Sequence, residues 1–204
     1  ILVTKANLEK SGNKSIAVIA NSKNANTCNA DGIEKADMMC KLLAKELNVP
    51  QEQIVVASTG VIGQVLPIEP IKEGIPELVK GLDYNKNEEA ATAIMTTDTV
   101  KKEYAVQFEI DGKICTIGGM AKGSGMIHPN MATTLNFITS DCAISSKLLQ
   151  EALSEIVKVT YNCLSIDGDT STNDMVVLMA NGMAENKEIT DNTAEFEIFK
   201  SALY

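Results

Sequence analysis

The chain's densest chemistry lies in Lys122-Gly-Ser-Gly-Met-Ile-His-Pro-Asn-Met-Ala-Thr-Thr134, which leads into the apolar residues Leu135, Phe137 and Ile138. A β-hydroxyl can attack the carbonyl on its N-terminal side and turn a peptide into an ester, which water then hydrolyses. If Ala132–Thr133 breaks in this way, Thr133 becomes an N-terminus with a hydroxyl nucleophile and its own amine as base. Gly123, Gly125 and Pro129 let the loop bend toward that geometry. Acyl chemistry on a hydroxyl also needs donors for the oxyanion. Thr59-Gly60, at the end of an apolar run Ile54–Ser58, offers a hydroxyl and an outward-pointing backbone N–H.

The rest of the composition narrows the field. The chain has 204 residues and a net charge of −9, with scattered acidic residues, which argues against nucleic acid as a partner. All 18 basic residues are lysines, so no guanidinium fork is available for a carboxylate or phosphate. Any anion site must use lysine, hydroxyls or backbone N–H groups. His128 is the only histidine, and no metal-ligand set surrounds it. The five cysteines (Cys28, Cys40, Cys115, Cys142, Cys163) form no CxxC pair and read as buried thiols of a reducing, cytoplasmic compartment. No apolar run is long enough to span a bilayer.

These residues must be held by something. Ser15–Asn21 and Ile54–Ser58 read as buried strands, and Ile1-Leu-Val-Thr4 also reads as strand. Ile33–Leu47 has helical spacing with Asp31 as a candidate cap. Pro70–Leu82 and Asn87–Met95 read as helices, the second running into the hydroxyl-dense Thr96-Thr97-Asp98-Thr99. Asp111-Gly112 between Lys102–Ile110 and Lys113–Ile117 predicts a hairpin. A loop over Gly118–Asn130 follows, then a strand over Thr133–Thr139. Ser145–Asn162 and Asn192–Leu203 read as amphipathic helices. Leu164–Ile166 and Met175–Met179 are short apolar runs around the polar Asp167–Asp174, to which no role attaches. The interleaving predicts a layered α/β or α+β domain with a mixed sheet.

Gly123–Thr133 resembles the self-cleavage segment of the ornithine acetyltransferase (glutamate N-acetyltransferase) family of arginine biosynthesis. Ala20-Asn-Ser-Lys-Asn-Ala-Asn-Thr-Cys-Asn-Ala-Asp-Gly32, Ser58-Thr-Gly-Val-Ile-Gly63 and Ile166-Asp-Gly-Asp-Thr-Ser-Thr-Asn-Asp174 match it too, in order and spacing. The resemblance spans nearly the whole chain. It implies two packed β-sheets between helical layers, incomplete at both ends. It makes Thr133 the nucleophile freed by cleavage after Ala132, Thr59 and Gly60 the oxyanion hole, and Thr96 and Lys122 substrate-binding residues. Thr134 stands where the family more often has an apolar residue, but Thr133 alone follows the Met-Ala pair in register.

The implied reaction is ping-pong transfer of acetyl from N2-acetyl-L-ornithine to L-glutamate through an acetyl-threonine. No cofactor is implied, though acetyl-CoA serves some members as a co-substrate. The implied assembly is an α/β heterotetramer, with residues 1–132 the α-chain-like portion and 133–204 the start of the β-chain-like portion of one partial domain, 1–204. Family precursors are about twice this length, so further substrate-binding residues are expected beyond Tyr204 and this chain alone is expected to transfer little acetyl. Two other readings stay open. One is a related self-processing N-terminal-threonine amidase or aminopeptidase that passes its acyl group to water; the other is an inactive fragment.

Overall fold

The computed structural model describes residues 1–128 and 134–204. The chain divides into two compact units, Ile1–Thr96 and Thr97–Tyr204. Each has its own sheet, and the described residues form six α-helices distributed between them, an α+β architecture.

The first unit begins with helix α1 (Leu2–Lys10), where the apolar opening residues suggest a strand. Spacing overrides local preference here. Val3, Thr4 and Asn7 fall on one helical face and are buried. The Thr4 hydroxyl donates to Val56 O (2.9 Å) and accepts from Val56 N (3.0 Å), and Asn7 Nδ2 donates to Ile54 O (3.0 Å). Strand β1 (Ala17–Asn21) is followed by helix α2 (Gly32–Leu47) and strand β2 (Ile54–Ser58). The strands pair in parallel, Ala17 with Ile54 through Asn21 with Ser58. Parallel pairing needs a crossover, which α2 supplies. Asp31 precedes α2, but its carboxylate does not cap the helix; it accepts from Asn29 Nδ2 instead. Helices α3 (Ile68–Lys80) and α4 (Asn87–Ala93) complete the unit. Ile19, Met39, Cys40, Leu43, Ile54 and Val56 lie in its core.

The second unit is a four-stranded sheet: β3 (Lys102–Ile110), β4 (Lys113–Lys122), β5 (Leu135–Ser140) and β6 (Met175–Ala180), in that spatial order. The Asp111-Gly112 turn joins β3 to β4, both residues at positive φ (51° and 74°). Strand β4 runs on through Gly118–Lys122, which the sequence suggests as loop. Gly118, Gly119, Met120 and Ala121 pair with both β3 and β5, and Lys122 with β5, so bonding on two sides outweighs the poor strand preference of glycine. β5 and β6 are parallel, with helix α5 (Ser146–Val159) between them in sequence. Ser145 Oγ caps α5 by accepting from Leu148 N (3.4 Å). Helix α6 (Ala194–Leu203) ends the unit. Ile110, Cys115, Ile117, Leu148, Phe196 and Phe199 form its core.

The apolar residues Leu164 and Ile166 are exposed and belong to no strand. One further expectation changes. Cys40, Cys115 and Cys142 are buried thiols, whereas Cys28 and Cys163 are exposed.

Candidate active site

The parts of the proposed site fall in both units. In the first, β2 ends in a turn built by the asparagine-rich segment after β1. Thr59 N donates to Asn21 O (3.0 Å), Val61 N to Lys23 O (3.0 Å) and Ala25 N to Val61 O (2.9 Å). Asn24 bridges to both Thr59 and Val61, and its amide donates to Gln64 O (3.2 Å) and Val65 O (3.3 Å). Thr59 is only 1% exposed. Gly60 lies at φ +131°, and a Cβ there would sit 2.1 Å from Lys23 C and 2.5 Å from both Lys23 O and Asn24 N. Only glycine fits that space. The Asn21–Asp31 segment is thus the scaffold that presses against Thr59-Gly60. Thr96, the last residue of this unit, is exposed.

In the second unit, one end of the sheet gathers the chemistry. Lys122, Leu135 and Met175 occupy one row across β4, β5 and β6. The connection 123–134 and the loop leading to β6 therefore both meet the sheet at this end. Ahead of β3, Asp98 accepts from Gly123 N (2.8 Å) and pairs with Lys102. Ahead of β6, Asp174 accepts from Thr134 N (2.9 Å). Asp167 receives Met126 N (2.6 Å) and Ile127 N (2.9 Å).

Lys122 is 1% exposed, feels the charges of Asp98 and Asp174, and its Nζ has no hydrogen-bond partner among the described residues. Burial lowers its pKa from the usual lysine value, and the charges of Asp98 and Asp174 oppose that drop. Asp174 shifts the other way: burial raises its pKa, resisted by the Thr134 N–H and the Lys122 charge. Leaving a buried polar group unpaired costs about 1–3 kcal/mol, more when it is charged. Thr134 Oγ1 and both amide atoms of Asn136 are buried and likewise unpartnered. Three residues with unpartnered buried polar atoms thus gather at one end of the sheet, which makes it the candidate place for polar ligand atoms.

Ala132 and Thr133 lie outside the described residues. His128 is exposed, and among the described residues no cluster of histidine, cysteine or carboxylates could hold a metal. Sequence reasoning missed Asp98, Asp167, Asp174 and Asn136 as members of this end of the sheet. The first three lie in segments noted only as polar, and their partners are backbone N–H groups, which carry no residue-type signal.

A buried threonine followed by a turn that admits only glycine, and a buried lysine with no described hydrogen-bond partner, are groups from which an acyl-transfer site can be built. The chain belongs to the ArgJ family, whose model matches residues 1–204. It is 52% identical over 188 residues to the arginine biosynthesis bifunctional protein ArgJ of Geobacillus kaustophilus, covering 92% of this chain and 46% of that protein. Its counterpart in Oceanobacillus iheyensis is 49% identical over 208 residues, covering 99% and 49%. The chain thus spans about half the length of the curated relatives it matches. A crystal structure of the Bacillus halodurans ArgJ protein matches with a TM-score of 0.57 at 40% identity, over 64% of this chain and 69% of that one. A Mycobacterium tuberculosis ornithine acetyltransferase complexed with ornithine matches with a TM-score of 0.54 at 31% identity, over 63% and 68%.

Proposed function

We propose that this chain carries acetyl-transfer machinery of arginine biosynthesis, moving acetyl from N2-acetyl-L-ornithine to L-glutamate. The observation that carries this reading is the buried Lys122 ammonium with no described hydrogen-bond partner. In a chain without arginine, it is the group suited to the carboxylate of an amino-acid substrate. Thr96 joins it in substrate binding by the likeness of its own segment. The ornithine bound to the Mycobacterium tuberculosis relative supports the substrate class.

In this reading the Thr133 hydroxyl attacks the Ala132 carbonyl. The C–N bond breaks, the acyl group passes to oxygen and the nitrogen takes the proton. Water then hydrolyses the ester and frees Thr133 as an N-terminus. Its amine accepts the hydroxyl proton when Thr133 attacks acetylornithine. Ornithine leaves with that proton on its amine; glutamate's amine then takes acetyl from the threonine ester, and its proton passes through the Thr133 amine to the departing Thr133 oxygen. The Thr59 hydroxyl and the Gly60 N–H stabilise each oxyanion, and removal of one such donor costs about 3 kcal/mol of barrier. Acetyl-CoA is a second acetyl donor, no cofactor takes part, and the cut pieces assemble as an α/β heterotetramer in the cytoplasm. No described helix is long and apolar enough to cross a membrane.

The test uses the protein as its own gene encodes it, with labelled acetylornithine, with and without glutamate. Acetylglutamate formation, abolished by Thr133→Ala, supports the proposal. Release of free acetate regardless of glutamate identifies an amidase, and no turnover at all identifies an inactive chain.

A further inference from the structure

The polar segment Asp167–Asp174 has no role in the chemistry above, yet it touches both ends of the connection that contains Ala132–Thr133. On the upstream side, Asp167 Oδ2 accepts from Met126 N and Oδ1 from Ile127 N, with Asp169 N of its own loop also donating to Oδ1 (3.3 Å). Ile127 O in turn accepts from Ile166 N (2.8 Å) and Asp167 N (3.4 Å). Downstream, Asp174 Oδ1 accepts from Thr134 N, and Met175 N donates to Thr134 O (3.0 Å). Residues 126–127 and 134 are thus fixed by a single loop, and the row Lys122–Leu135–Met175 anchors that loop's end to the sheet.

We infer that Asp167 and Asp174 are positioning residues: a two-point carboxylate brace that sets the separation and orientation of the chain on either side of the scissile bond. The inference rests on the self-cleavage reading given above. An intramolecular attack depends on the reacting atoms being held close and aligned, and a misplacement of about 1 Å costs on the order of 100-fold in rate. The peptide unit between Thr133 and Thr134 carries the N–H that Asp174 holds, so this carboxylate orients the backbone immediately after the nucleophile.

The two ends of the brace differ chemically, and the difference can be tested. Asp167 serves three N–H groups with two oxygens, so Asp167→Asn loses one acceptor and sets an NH2 against an N–H. Asp174 serves Thr134 N with Oδ1 and also bonds the Ser171 side chain; Asp174→Asn retains an oxygen for Thr134.

The experiment follows the appearance of the fragment beginning at Thr133 in freshly made protein, by intact mass, well below each variant's melting temperature. Amide hydrogen exchange at Met126, Ile127 and Thr134 is read in parallel. Cleavage is expected to slow about 10- to 100-fold in Asp167→Ala, Asp167→Asn and Asp174→Ala, with faster exchange at the released amides. Asp174→Asn is expected to stay within about threefold of the unmodified chain, because its acceptor oxygen survives. Unchanged cleavage in both alanine variants, or equal slowing by Asp174→Asn and Asp174→Ala, overturns the brace and leaves the cleavage reading intact. An unmodified protein that never cuts overturns both, and is distinguished by its lack of any Thr133 fragment.

Discussion

Gly60→Ala is expected to be among the most damaging small substitutions in the first unit. A Cβ at residue 60 would meet Lys23 C at 2.1 Å, with Lys23 O and Asn24 N at 2.5 Å. All three are backbone atoms, so no side-chain rotation relieves the overlap. The turn must open, breaking the bonds from Val61 N to Lys23 O and from Ala25 N to Val61 O. Two hydrogen bonds at about 1 kcal/mol each, with about 1–3 kcal/mol for a non-glycine residue at φ +131°, come to about 3–5 kcal/mol. Gly63 provides the control: φ is +77° and nothing lies within 4 Å of a Cβ there. Gly63→Ala then costs only backbone strain, about 1 kcal/mol. In a unit of this size each kcal/mol moves the midpoint by about 4–8 °C, so the two variants, about 2–4 kcal/mol apart, should melt about 8–30 °C apart. Circular dichroism melts and urea titrations measure the difference. If the two melt within about 3 °C of each other, the tight fit at Gly60 is refuted.

Three further outcomes follow from burial and pairing. Thr4→Val strands the N–H and C=O of Val56, and urea unfolding should show a loss of about 2–4 kcal/mol. Lys122→Met removes a buried, unpaired charge, so the chain should be as stable or about 1–3 kcal/mol more stable while acetyl transfer falls at least about 100-fold. The folded pKa of Lys122 lies below its unfolded value of 10.5, so the folded state releases that proton first. The stability deficit of the unmodified chain relative to Lys122→Met should therefore shrink as pH rises through the window between those two values, as parallel urea curves would show. A thiol reagent near neutral pH should label Cys28 and Cys163 quickly and spare Cys40, Cys115 and Cys142 until unfolding. Burial pushes the Cys40 and Cys142 thiols up to about 12, which deprives the reagent of thiolate.

Much of this architecture is legible in the residues. Ile54–Ser58 is a strand with the bounds its apolar run suggests, and Asp111-Gly112 makes the hairpin its chemistry requires. Helices α2, α5 and α6 follow their apolar spacing to within a few residues. The failures share a physical cause. Ile1–Thr4 looks like a strand until Thr4 and Asn7 are seen bonding to β2, contacts from residues 52 and 47 positions away in the chain. Gly118–Lys122 reads as loop because glycine is a poor strand former, yet pairing of residues 118–121 on both sides, and of Lys122 with β5, makes it strand. Lys122 stands out in the sequence as a candidate only through family resemblance, since one lysine among 18 carries no signal of burial. Asp98, Asp167 and Asp174 act on backbone N–H groups, which are alike at every position.

Thr133 as an acyl carrier underlies the whole functional account, and one mass measurement addresses it. The protein as its own gene encodes it is incubated with acetylornithine, quenched in acid before glutamate is added, and weighed intact and as peptides. The account predicts two pieces divided between Ala132 and Thr133, with a single acetyl group on the piece that begins at Thr133. An undivided chain, or an acetyl group held at any other residue, contradicts it.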